Sequence, residues 1–167
     1  MDKSLFVLKI FGINHRFCIC EIYNAKYRLL MASELVPLAF NKIMQSRSYT
    51  VIILGTDKKK FAIYTDPQVG RNLQSCLTEE HKPRPLTHNL INSIFLGLNV
   101  KVLQIVITDI EDTIYFAKLY LQQEGKEETT ILEIDARPSD CIILALMNNV
   151  PVFCRKEILE KAVSVEE

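Results

Sequence analysis

Nowhere does this 167-residue chain approach the ~20 consecutive apolar residues that a membrane-spanning helix needs. Its N-terminus, MDKSLFVLKIFGIN, has too short an apolar part for a secretory signal and is interrupted by Lys9. These absences predict a soluble, cytoplasmic protein with no membrane partner. A surplus of one charge is missing too: 20 Lys and Arg balance 20 Asp and Glu. Phosphate neutralisation supplies most non-specific affinity for long nucleic acid, so such a role must rest on a local basic patch. The five cysteines, Cys18, Cys20, Cys76, Cys141 and Cys154, contain no Cys-x-x-Cys pair. Cys18 and Cys20 would share one face of a strand, yet no second ligand pair at zinc-site spacing accompanies them. Reduced thiols are expected, with Cys141 and Cys154 acting as small hydrophobes inside apolar runs.

What is present is a globular composition, 49% apolar and 24% charged, which excludes a disordered or fibrous chain. The length suits one domain with a small appendage. Residues 4–11 and 17–23 flank the turn-like Gly12-Ile13-Asn14 and suggest a short hairpin. Over 32–45 the pattern is ambiguous, and Pro37 breaks any helix there. The β-rich runs 49–54 and 61–65 are joined by a polar loop from Gly55 to Lys60. Asp66-Pro67 opens a helix over roughly 67–78. After the basic loop His81 to Pro85, Thr87 can cap a helix ending near Gly97. Strands 100–108 and 113–121 follow, joined by the acidic stretch Asp109 to Asp112, and then a strand over 130–134. Ser139 or Asp140 caps a helix over 140–148. Residues 151–154 look like a short edge strand, and 155–163 a polar terminal helix. Strand pairs interleaved with single helices lack regular β-α-β alternation. The pattern predicts an α+β fold, a mixed and largely antiparallel sheet packed with a few helices.

One stretch concentrates the chemistry. In IDARPSDCIILALMNNVPVF, Asp135, Arg137 and Asp140 stand between an apolar strand end and a helix apolar all round. Such a helix is buried, and charges at its start need partners. RPLTHNLINSIFLGLNV (84–100) echoes RPSDCIILALMNNV (137–150): each has Arg-Pro, a capping residue, an apolar helix and a closing Asn-Val. Duplication and shared helix-start chemistry both explain the echo. In either case two helix N-termini, which attract anions, each carry an arginine.

PRPLTHNLI followed some fifty residues later by IDARPSDCIILAL resembles the bifunctional nuclease domain family. The resemblance runs from about Leu35 to Leu159, within a domain bounded as 35–160. Residues 1–34 form an N-terminal extension outside it, and 161–167 a tail too short for a further module. The segment VIILG to SCL looks like a diverged copy of the family's opening strand pair and helix. Val69 and Gly70 stand where the family has an acidic residue, and Asn89 where it has aspartate. The resemblance implies cleavage of DNA and RNA, and the two missing carboxylates imply weakened activity if they help bind metal.

A phosphodiesterase needs an activated water, charge neutralisation on the phosphate and an acid for the leaving oxygen. Asp135 and Asp140 can supply oxygens to a divalent metal, Mg²⁺ or Mn²⁺, if the Arg137-Pro138 turn folds them together. Arg84 and Arg137 suit phosphate, with Thr87 and Ser139 beside them at the helix starts. His88 is the candidate general acid or base. Each residue has a structural alternative: Asp140 as a helix-start carboxylate, Arg137 as partner to both aspartates, His88 as a satisfied boundary histidine. Asp109, Glu111 and Asp112 read as a solvated turn, and Lys58 to Lys60 as a hairpin tip. The competing reading of the whole is a non-enzymatic module that binds a nucleotide, a small anion or a partner protein. Strands 100–108 and 113–121 offer an edge or a face for a homo-oligomer.

Overall fold

The computed structural model describes residues 34–78, 83–125 and 129–165. The expected 4–23 hairpin and the Cys18-x-Cys20 pair lie outside those residues. Seven strands form one sheet: β1 (Leu35–Gln45), β2 (Thr50–Gly55), β3 (Lys60–Thr65), β4 (Val100–Glu111), β5 (Ile114–Glu124), β6 (Thr129–Ala136) and β7 (Val152–Arg155). Their order across the sheet is β3-β2-β1-β7-β4-β5-β6. Every pairing is antiparallel except β4 with β7. Helices α1 (Pro67–Leu77), α2 (Thr87–Gly97), α3 (Pro138–Asn148) and α4 (Lys156–Lys161) complete the described elements. The fold is α+β with a mixed, mainly antiparallel sheet.

Local chemistry explains several boundaries. The Asp66 carboxylate accepts the Val69 N–H at 3.0 Å and caps α1, with Pro67 at its first position. Helix α3 is buried from Pro138 to Ala145 apart from Asp140, which is partly exposed. It packs on α1, α2 and strands β4 and β5. The core on that side of the sheet draws Ile52, Leu54 and Phe61 from the first hairpin, Ile105 and Ile107 from β4, and Ile142 and Ile143 from α3. A second, smaller cluster of Val106, Tyr120 and Phe153 lies apart from it. The outer face of α2 is uncharged and apolar, with Leu90, Ile94 and Leu96 49–70% exposed. Both echoing helices are followed by an asparagine in the left-handed region, Asn99 at φ 54° and Asn149 at φ 53°. Each asparagine leads into a strand, β4 or β7, and these two form the parallel pair.

Several expectations need correction. The ambiguous 32–45 segment is an 11-residue strand. Pro37 is tolerated because β1 pairs with β7 over Leu35–Leu38 and with β2 only from Ala39, so one side of the strand at Pro37 needs no donor. The 152–155 segment is an inner strand between β1 and β4, not an edge. Its shortness suggests an edge, but three of its four residues are buried. Asp109 and Glu111 belong to β4, and the turn is Asp112-Thr113, with Asp112 at φ 53°. Strands β4 and β5 are paired on both sides, so neither offers an edge. The edges are β3 and β6. Leu86, not Thr87, holds the N-cap position of α2, and Arg137, not Ser139 or Asp140, that of α3. Asn89 supplies half of a capping box, its Oδ1 accepting the Leu86 N–H at 3.0 Å.

Candidate active site

Two helix starts meet at α3. His88, in the first turn of α2, is buried at 8% exposure and faces Asp140, in the first turn of α3. His88 Nε2 lies 3.1 Å from Asp140 Oδ1. Arg137 clamps the same carboxylate with a fork, donating from Nε to Oδ2 at 2.7 Å and from Nη2 to Oδ1 at 3.2 Å. A carboxylate so engaged is an acceptor, so Nε2 of His88 is the donor and Nδ1 is the ring nitrogen left over. That Nδ1 is enclosed and has no partner among the described residues. Asp140 is thus shared by a ring and a guanidinium, as the charges at this junction required.

Arg137 is the open side of the cluster, its side chain 67% exposed against 25% for Asp140. The hydrogen bonds to Asp140 raise its pKa above the ordinary guanidinium value, helped by the Asp140 charge and then by that of Asp66. From sequence alone Asp66 reads only as a helix opener. It caps α1, which packs on α3, and adds a second negative charge to the surroundings of Arg137. An acid directly before a proline and a helix is the one signal of it in the sequence.

The other expected residues lie around this core. Ser139 is buried in the first turn of α3, and Thr87 is exposed at the first position of α2. Arg84 is exposed two residues before the α2 cap and makes no ion pair with a described residue. Asp135 is exposed on edge strand β6, in register with Lys118, and takes no part in the His88–Asp140–Arg137 hydrogen bonds. Burial pushes the Cys141 thiol up to about 12, with the Asp140 and Asp135 charges adding to the effect. Both carboxylates therefore lie close enough to act on the start of α3, but only Asp140 is built into the cluster.

A divalent ion does not fit Asp135 and Asp140 as they stand. Both oxygens of Asp140 already accept from Arg137, and among the described residues no three His, Cys, Asp or Glu gather to hold a metal. Among those residues, too, no helix is long and apolar enough to cross a membrane.

An α+β domain with a histidine, a carboxylate and a guanidinium joined across two helix starts defines the class. A family model described as the bifunctional nuclease domain matches residues 51–167, and the chain belongs to this family. It is 30% identical over 80 residues to an uncharacterized protein of Mycobacterium tuberculosis, covering 48% of this chain and 44% of that protein. It is 33% identical over 76 residues to Bifunctional nuclease 1 of Oryza sativa subsp. japonica, covering 46% of this chain and 23% of the Oryza protein. A Bifunctional nuclease from Oryza minuta matches to the same extent. The chain thus spans less than half the length of these relatives.

Proposed function

We propose that the junction of α2 and α3 hydrolyses phosphodiester bonds in DNA or RNA. The observation that supports this reading best is the His88–Asp140–Arg137 cluster, within a domain of the bifunctional nuclease family. Arg137 keeps an exposed donor edge although its inner edge is committed to Asp140, and Arg84 is exposed just before the start of α2. Together they supply positive charge for a phosphate. Asp140 accepts from Nε2 and so fixes the ring of His88 at the junction, where the imidazole is the candidate acid or base.

The test is cleavage of fluorescent single-stranded DNA, duplex DNA and RNA with Mg²⁺, Mn²⁺ or Ca²⁺, and with EDTA. Asp140→Asn and His88→Gln should lower the rate by at least about a hundredfold in protein that still melts cooperatively. Asp135→Asn, outside the cluster, should lower it far less. Equal cleavage by wild type and by folded Asp140→Asn would defeat the proposal. The alternative is a non-enzymatic anion-binding module, favoured by the enclosure of Nδ1, which leaves arginine donors as the accessible chemistry. On that reading nucleotides raise the melting temperature, the wild type cleaves nothing, and Arg137→Ala abolishes the shift.

A further inference from the structure

The zero net charge of the chain hides a separation. Residues 35–78, which form β1 to β3 and α1, carry six Lys and Arg against two Asp, a surplus of four. Residues 100–125 and 129–136, which include β4 to β6, carry two Lys against six Asp and Glu, a deficit of four. Because β1–β3 and β4–β6 occupy opposite ends of the sheet, the molecule has a basic end and an acidic end.

The basic end also presents aromatic rings. Tyr64 on β3 is 68% exposed, and Tyr49, just before β2, is 49% exposed. Their ring centroids are 5.9 Å apart with planes at 54°. The register places Tyr64 opposite Val51, and Val51 opposite Met44, which is 45% exposed. Lys42, Ile53 and Ala62 form the next row on the same face, on which Lys42 is exposed while Val51 and Ile53 are buried. This face is the reverse of the one on which Ile52 and Leu54 meet the helix-side core. The β1–β2 turn holds Tyr49 firmly: Ser46 Oγ accepts the Tyr49 N–H at 3.0 Å, and the Tyr49 carbonyl accepts the Ser46 N–H at 2.9 Å. Arg47 stands exposed at the tip of this turn.

The geometry points to a second binding surface, a stacking platform of Tyr49 and Tyr64 flanked by Lys42 and Arg47, that takes single-stranded nucleic acid. Every base offers a π-face to a tyrosine, and the flanking cations meet the phosphates. A duplex keeps its bases stacked on each other and has nothing to offer the rings. The platform lies apart from the junction, on the face of the sheet opposite the helices. Gln45 donates to the Gly70 carbonyl of α1 at 2.9 Å, so the hairpin end is tied to the helix whose cap, Asp66, lies near Arg137.

The experiment is fluorescence anisotropy in EDTA with labelled oligo(dT), a mixed-sequence single strand and the matching duplex. The wild type should bind both single strands at least about tenfold tighter than the duplex. Tyr49→Ala/Tyr64→Ala should weaken single-strand binding by about tenfold or more, whereas Tyr49→Phe/Tyr64→Phe keeps it. Both tyrosines are exposed, so circular dichroism melts of these variants should match the wild type. Equal binding by the alanine and wild-type proteins, preference for duplex, or no binding at all would overturn the platform. Its fate separates from that of the nuclease reading. Asp140→Asn should bind single strands normally, so a wild type that binds through the tyrosines but never cleaves keeps the platform and sinks only the nuclease. Cleavage with unchanged binding by the tyrosine variants does the reverse.

Discussion

Arg137 closes the first turn of α3 with its backbone and clamps Asp140 with its side chain. With two thirds of the side chain in solvent, the pair adds at most about 1 kcal/mol to stability. Arg137→Lys keeps the charge and loses the fork, so we expect cleavage to fall about tenfold or more while the thermal midpoint barely moves. Parallel kinetics and melts read both. The buried thiols behave in the opposite way, silent where the arginine is exposed. Burial lifts Cys141 and Cys154 each to about 12, so at pH 8 the thiolate fraction is tiny. Iodoacetamide should label them about a thousandfold more slowly than a free thiol, with the rate climbing as pH rises toward 12. Because their folded pKa values are raised, the stability they contribute is complete below the ordinary thiol pKa and is lost as pH climbs through the raised values. Mass spectrometry after timed labelling measures the first effect, and the fast reaction of either cysteine in native protein at pH 8 would contradict it.

At the level of elements, the contact between α1 and β2 is tight enough to specify its residues. A Cβ on Gly70 would lie 2.1 Å from Thr50 Oγ1 and under 3 Å from the other side-chain atoms of that fully buried threonine. Gly70→Ala should cost about 1–3 kcal/mol by overpacking. Thr50→Ala removes the two nearest of those atoms, and the Thr50 hydroxyl has no partner to lose among the described residues. The double variant should therefore recover part of the loss, a coupling that urea titrations of the four proteins would reveal. This pair also shows where sequence reading stops. The start of α1 is legible because Asp66, Pro67 and Val69 are neighbours and capping is local. The need for glycine at position 70 is not, because it depends on a strand twenty residues away. The caps of α2 and α3 are misplaced from sequence for a related reason. Leu86 and Arg137 cap by backbone conformation, without the side-chain oxygen that marks a cap in sequence.

For the whole molecule, β7 is the strand on which the sheet depends. It joins β1–β3 to β4–β6, and its apolar run reads as an edge until its partners are known. Phe153→Ala should cost about 3–5 kcal/mol, and unfolding should remain a single transition seen alike by circular dichroism and tyrosine fluorescence. Separate transitions for the two signals would mean the half-sheets fold independently. The class of fold is legible because strand pairs and single helices alternate visibly along the chain. The order of strands is not, since Val152 lies beside Leu38 on one flank and Ile105 on the other, both remote in sequence. The site is legible in kind, because His88, Arg137 and Asp140 are each the residue type that chemistry at a helix start would use. Their union spans 52 residues of sequence, and Asp135, in register with Lys118 on β6, takes no part in it.

The same short strand sets how the molecule would fail under load. Four residue pairs hold β7 to β1 and three hold it to β4, against six or more in every other ladder. Pulled apart from its two outer edges, the sheet would tear along β7. An optical-tweezers trace should then show the basic and acidic halves parting first, each still zipped.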